Sequence, residues 1–189
     1  MEDEDKNSGK DRSCKLAQAE VKRENMEYSK EWIDFIQKEK DFRKATWHYN
    51  QHIDLEIQKK DILLSLEDRE GQLITTRLMS ERYIRREAVE QVWEKLVYLV
   101  FYGDFSVSSW SVSSLKRISS DKKKKYKDQI GRLALEYAEK TGGDDILMHG
   151  LQLLYEMGCK NEILQYIEKY NEFLTLNEKD IVYYQNVKE

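Results

Sequence analysis

The chain has no proline among its 189 residues, only 2 cysteines and only 8 glycines. Ordinary chains use proline at about 5%. Its complete absence excludes proline-rich linkers, collagen-like repeats and, in practice, turn-dense strand sandwiches, and it favours long uninterrupted helix. Two cysteines, Cys14 and Cys159, are too few for a secreted disulfide framework, so a reducing compartment is expected and both thiols read as small inert side chains. The longest wholly apolar run, Leu96 to Tyr102, is seven residues, against the roughly 20 needed to span a bilayer. The start, Met1-Glu2-Asp3-Glu4-Asp5, is acidic where a secretory signal is basic and then apolar. No transmembrane segment and no targeting peptide are therefore expected, and the chain reads as soluble.

What is present is charge. Charged residues make up 36% of the chain and hydrophobic ones 40%, with a mean hydropathy of −0.82. That is enough apolar material for one modest core, and the length fits a small domain plus an extended arm. The 36 acidic and 32 basic side chains nearly cancel, for a net charge of −4, which excludes binding nucleic acid through bulk charge. The charge is unevenly spread. Lys116, Arg117, Lys122, Lys123, Lys124, Lys125 and Lys127 are opposed only by Asp121, whereas residues 128–189 hold twelve acids against six bases. A basic knot precedes an acidic module.

Residues 1–12 are polar and without apolar periodicity, which reads as a disordered leader. Residues 13–102 contain a single glycine, Gly71, and a helix-forming composition, so a long helical arm is expected there. Tyr28, Trp32, Phe35, Glu39, Phe42, Thr46, Tyr49 and Ile53 follow heptad spacing, with Trp47 on a neighbouring face. The register then slips to Leu55, Ile62, Leu66 and Leu73, and again to Ile84, Ala88, Val92, Leu96 and Leu99. Such slips favour a coiled-coil-like arm of broken register, docked on a partner or folded back, over a regular two-stranded coil. Residues 96–102 suit either a buried strand or the buried end of a helix; the helical spacing of Val89, Val92 and Trp93 favours helix. Residues 103–121, opened by Gly103-Asp104 and rich in serine, read as an exposed connector pinned by Trp110.

Residues 122–189 read as a compact bundle of αα-hairpins. Helices are expected over 122–140 and 144–157, a third opening at Asn161, and a fourth capped by Asn177 with Asp180 three residues on. The string Leu151-Gln-Leu-Leu-Tyr-Glu-Met-Gly158-Cys-Lys-Asn-Glu-Ile-Leu-Gln-Tyr166 resembles the helix–turn–helix hairpin of tetratricopeptide-type solenoids. It covers under a fifth of the chain and does not recur with their period of about 34 residues. The resemblance implies an αα-hairpin, not membership of that family.

Catalytic signatures are weak. His48 and His52 lie four apart, on one helical face, but Tyr49 stands where a metalloprotease carries glutamate; two surface histidines are the expectation, with no metal site. The glycines are scattered and Gly142-Gly143 lacks an adjoining Lys-Ser or Lys-Thr, which excludes a Walker-type nucleotide loop. The serine cluster has no histidine near it in sequence. His149 and Cys159 lack an orienting third residue, so a packed histidine and a buried thiol are expected. Catalytic residues, cofactors and a small-molecule substrate are accordingly not expected.

The all-α reading therefore leads to a non-catalytic adaptor or structural subunit of a larger cytoplasmic, plausibly cytoskeletal, assembly, with Tyr28, Trp32, Phe35, Phe42 and Tyr49 binding a protein partner. The alternative is a nuclear or nucleic-acid-associated factor that uses the basic knot toward an acidic polymer or surface. Ser119 and Ser120, beside Arg117, are candidate phosphorylation sites whose modification would partly neutralise that knot.

Overall fold

The structure is a computed structural model that describes the backbone of residues 30–141 and 144–186, and the side chains of residues 37, 38, 40–141 and 145–186. The expected leader 1–12 and Tyr28 lie outside the described residues, as do the side chains of Trp32 and Phe35. The fold is all-α: among the described residues there are ten helices and no strand. In chain order they are α1 (Lys30–His52), α2 (Leu55–Ser65), α3 (Arg69–Ser80), α4 (Arg86–Gln91), α5 (Trp93–Tyr102), α6 (Phe105–Leu115), α7 (Ser120–Thr141), α8 (Asp144–Met157), α9 (Lys160–Leu174) and α10 (Glu178–Gln185).

The chain divides into two compact units, residues 1–44 and 45–189. In the first, the described part is the amino-terminal portion of α1, where Gln37 donates to the Asp41 carboxylate one turn on at 3.0 Å. The second unit holds the hydrophobic core, which among the described residues begins at Ile62 and runs to Leu174.

Short side-chain caps cut the second unit into helices. Asp54, Asp68 and Asp104 each accept a backbone N–H of the helix that follows, at 2.8, 2.8 and 3.0 Å, and Asn177 and Asp180 form a reciprocal capping box at α10. Helix α5 is at the centre. Its Trp93, Leu96, Val97, Leu99, Val100 and Phe101 are all buried, because a helix apolar nearly all round has to be covered on most sides. It packs on α6, α7 and α8. The third expected seam, Ile84, Ala88, Val92, Leu96 and Leu99, is buried throughout, at 8% exposure or less.

The hairpin of α8 and α9 turns at Gly158, whose φ of 73° is the left-handed conformation. The N–H groups of Gly158 and Cys159 return to the carbonyls of Tyr155 and Leu154 at 3.1 and 2.9 Å, closing the helix as a Schellman motif. Gly150, on the inner face of α8, lets three helices meet: a Cβ there would lie 2.4 Å from Tyr166 Oη and 2.7 Å from the Phe101 ring.

The expected domain boundaries differ from these observations in two places. Residues 45–102 belong to the same compact unit as residues 122–189, since α7, α8 and α9 bury their apolar faces against a core that includes α5 and α6. The 103–121 segment is not an exposed connector: most of it is α6, packed on α3, α5 and α8. Serine is small enough to permit close helix approach, and its hydroxyl returns to the backbone. Ser108 Oγ donates to Val100 O at 2.6 Å and Ser114 Oγ to Trp110 O at 2.7 Å.

Candidate functional site

The end of α1, from residue 45 on part of the second unit, is held by side chains on its last carbonyls. The last turn of a helix has carbonyls without intrahelical partners and carries a partial negative charge. Arg85 meets both needs: Nη1 donates to Asn50 O at 3.2 Å and Nη2 to Ile53 O at 3.1 Å. Its Nε donates to Gln58 Oε1 at 2.9 Å, and the buried Gln58 donates from Nε2 to Tyr49 O at 2.8 Å. Asn50 completes the clamp, donating to Tyr83 O at 2.8 Å and accepting from Arg85 N at 3.2 Å. No sequence motif announced this clamp; an asparagine, a glutamine and an arginine up to 35 residues apart read as ordinary helix-surface polarity.

Of the candidate aromatic residues, Tyr49 is half-buried and donates its hydroxyl to Asp61 Oδ2 at 2.8 Å. Burial, assisted by the Asp61 carboxylate, pushes its phenol up to about 12. It anchors the helix end rather than facing outward. Phe42 is 41% exposed and Trp47 is 61% exposed. The Trp47 indole meets the His52 ring edge-on at 6.0 Å, and His52 lies 4.5 Å from His48, ring to ring. Among the described residues, no three His, Cys, Asp or Glu side chains converge as a metal would require.

The basic knot comes apart into structural and exposed members. Lys116 pairs with Glu156 at 2.7 Å, which raises its pKa. Arg117 turns inward: Nη1 donates to Met79 O and Nη2 to Ile84 O at 2.8 Å, holding the turn after α3. Burial, reinforced by Arg82 and Arg86 nearby, lowers its pKa. Lys123 reaches Glu156 O at 3.4 Å, and burial lowers its pKa as well. Lys122 and Lys125 converge instead on the Tyr126 ring, at 5.9 and 5.4 Å from its centroid, and Trp93 stacks on that ring at 4.8 Å. Lys124 is exposed and Lys127 half-exposed. Ser120 is exposed, whereas Ser119 is half-buried with its N–H donating to Glu90 Oε1 at 2.8 Å.

The tertiary structure makes one pairing that the sequence hid. His149 Nδ1 lies 2.7 Å from Ser108 Oγ, in a region 41 residues away along the chain. Proton accounting argues against an activated serine. The single hydroxyl proton of Ser108 is donated to Val100 O, so the histidine donates from Nδ1 and Ser108 Oγ accepts. Burial lowers the His149 pKa, partly opposed by Asp145, and Ser108 has no exposure. Cys159 is likewise buried, its thiol pushed up to about 12 by burial, so the reactive thiolate is disfavoured. Among the described residues no helix is long and apolar enough to cross a membrane.

Comparison of the chain with protein-family models, with curated proteins and with solved structures gave no match in any of the three.

Proposed function

We propose that the protein is a non-catalytic adaptor or structural subunit of a cytoplasmic, plausibly cytoskeletal, assembly, and that it binds a protein partner through α1. One observation carries this reading: Trp47 is 61% exposed on a helix whose last turn is clamped by Arg85, Gln58 and Asn50. A large indole in water has a hydrophobic reason to be covered, and tryptophan on a rigid element suits an interface anchor. The core of the second unit, which among the described residues starts at Ile62, supports a division of labour between that core and the aromatic face of α1.

The test is site-specific photocrosslinking of the full chain in cell extract, with the crosslinker at Phe42 or Trp47 and, as control, at Gln129, an exposed position on α7. Discrete adducts from positions 42 and 47, absent at 129 and competed by unlabelled wild type but not by a Trp47→Ala chain, are the expected result. Equal labelling at all three positions overturns the reading. So does a Trp47→Ala chain that melts as a core variant would, because the indole would then be serving the fold.

A further inference from the structure

His48 and His52 close α1 in an arrangement that two solvated histidines do not need. Their spacing of four puts both side chains on one helical face, and their rings lie 4.5 Å apart, centre to centre, tilted by 38°. Both residues are exposed. Among the described residues, neither imidazole takes part in a hydrogen bond or an ion pair, so their nitrogens are free to act as ligands. The backbone beneath them is fixed. The helix continues through this turn, with Ile53 N donating to Tyr49 O at 3.2 Å, and Arg85 and Gln58 hold its last carbonyls.

The ring separation is that of a chelate. A metal about 2.0–2.1 Å from an imidazole nitrogen lies about 3.2 Å from the centre of that ring. Two rings at right angles about one metal therefore have centres about 4.5 Å apart, whereas tetrahedral ligands stand about 5.2 Å apart. The observed 4.5 Å is the right-angle value, and tetragonal geometry with nitrogen ligands belongs to Cu(II) and Ni(II). Aiming the two nitrogens at a common point takes only rotation about χ2, a broad torsion in histidine. We infer that His48 and His52 form a two-imidazole chelate for a divalent cation of the Cu(II) or Ni(II) class, with water in the remaining coordination positions. With two protein ligands, it is an open surface site and not an enclosed metal centre. Neither ring has the carboxylate or carbonyl partner that raises ligand basicity, which places its affinity below that of enclosed centres. The site is independent of partner capture through α1. Trp47, whose indole meets the His52 ring edge-on at 6.0 Å, supplies an optical reporter.

The test is isothermal titration of the full chain with Cu(II), in a Cys14→Ser background that removes the thiol at position 14 as a ligand and reductant. Tryptophan fluorescence and electron paramagnetic resonance are recorded in parallel. One equivalent should bind, show coupling to two imidazole nitrogens and quench part of the tryptophan emission. The chain has 3 histidines, and the third, His149, is buried against Ser108, so the two nitrogens are assigned by elimination. His48→Ala and His52→Ala, each checked for folding by circular dichroism, should each weaken Cu(II) about 100-fold, the gain that a second linked ligand confers. Trp47→Phe should remove most of the quenching and keep the affinity. Ni(II) should displace Cu(II) only in excess, and Mg(II), which prefers oxygen ligands, should not displace it. Two equivalents of equal affinity, with one lost at unchanged affinity in each single variant, would mean independent histidines and overturn the inference. Wild-type binding in the His48→Ala, His52→Ala double variant, or displacement by Mg(II), would overturn it as well.

Discussion

Replacing Arg85 by Met tests how the end of α1 is held. The substitution keeps most of the aliphatic stem and removes three hydrogen bonds, to Asn50 O, Ile53 O and Gln58 Oε1. The two carbonyls end a helix, where water can partly replace the guanidinium, so each loss is worth about 1 kcal/mol, below the range of about 1.5–3 kcal/mol for a bond to a charged group. Gln58 is fully buried, and its orphaned oxygen adds a further ~1 kcal/mol. The total of about 3 kcal/mol corresponds to a fall in melting temperature of roughly 6–12 °C for a unit of this size. Thermal unfolding followed by circular dichroism measures it. Arg85→Lys should recover less than half, because an ammonium group cannot reach three acceptors in a planar fork. A double-mutant cycle with Gln58→Met should show coupling of about 1 kcal/mol, since removing the glutamine also removes the orphaned oxygen. A fall in melting temperature below about 2 °C for Arg85→Met, or strict additivity in the cycle, would refute the clamp as an energetic feature.

Two further outcomes concern the serine helix and its histidine. Ser111 Oγ is buried without a hydrogen-bond partner, so Ser111→Ala should leave stability unchanged or raise it by up to about 1 kcal/mol, as read from urea unfolding; a loss above about 1 kcal/mol would mean that the hydroxyl is satisfied. Burial lowers the His149 pKa in the folded state, so the unfolded chain binds the proton more tightly. The contribution is fully present above the ordinary histidine value of about 6.5 and is lost as pH falls toward the folded value. Urea midpoints at pH 7.5 and 5.5 should therefore show a decline that is smaller in His149→Gln, and an equal decline in both chains would refute the assignment.

Much of this fold was legible because it depends on local rules. The absence of proline, the apolar spacing of Ile84, Ala88, Val92, Leu96 and Leu99, the glycine turn at 158 and the Asn177–Asp180 cap each act within a few residues. Each therefore carries its meaning in the sequence. The aspartates at 54, 68 and 104 belong to the same class, since each precedes a helix and accepts one of its N–H groups; those at 54 and 68 divide the expected arm into separate helices.

The serine-rich stretch and the basic knot were decided at longer range. Serine has weak helical preference when alone in water, so residues 105–115 resemble a connector until α3, α5 and α8 close around them and reward small side chains. Seven clustered positive charges look equivalent along the chain, and only the fold distinguishes them: Arg117 faces backbone carbonyls, Lys116 faces Glu156, and Lys122 and Lys125 face a tyrosine ring. Likewise, Ser108 meets His149, and Arg85 meets the end of α1, because tertiary packing juxtaposes groups 41 and 35 residues apart. Residue type and spacing determine which helices form and which faces are apolar. Which polar groups find partners depends on the three-dimensional neighbours supplied once those apolar faces are buried, and periodicity carries no record of them.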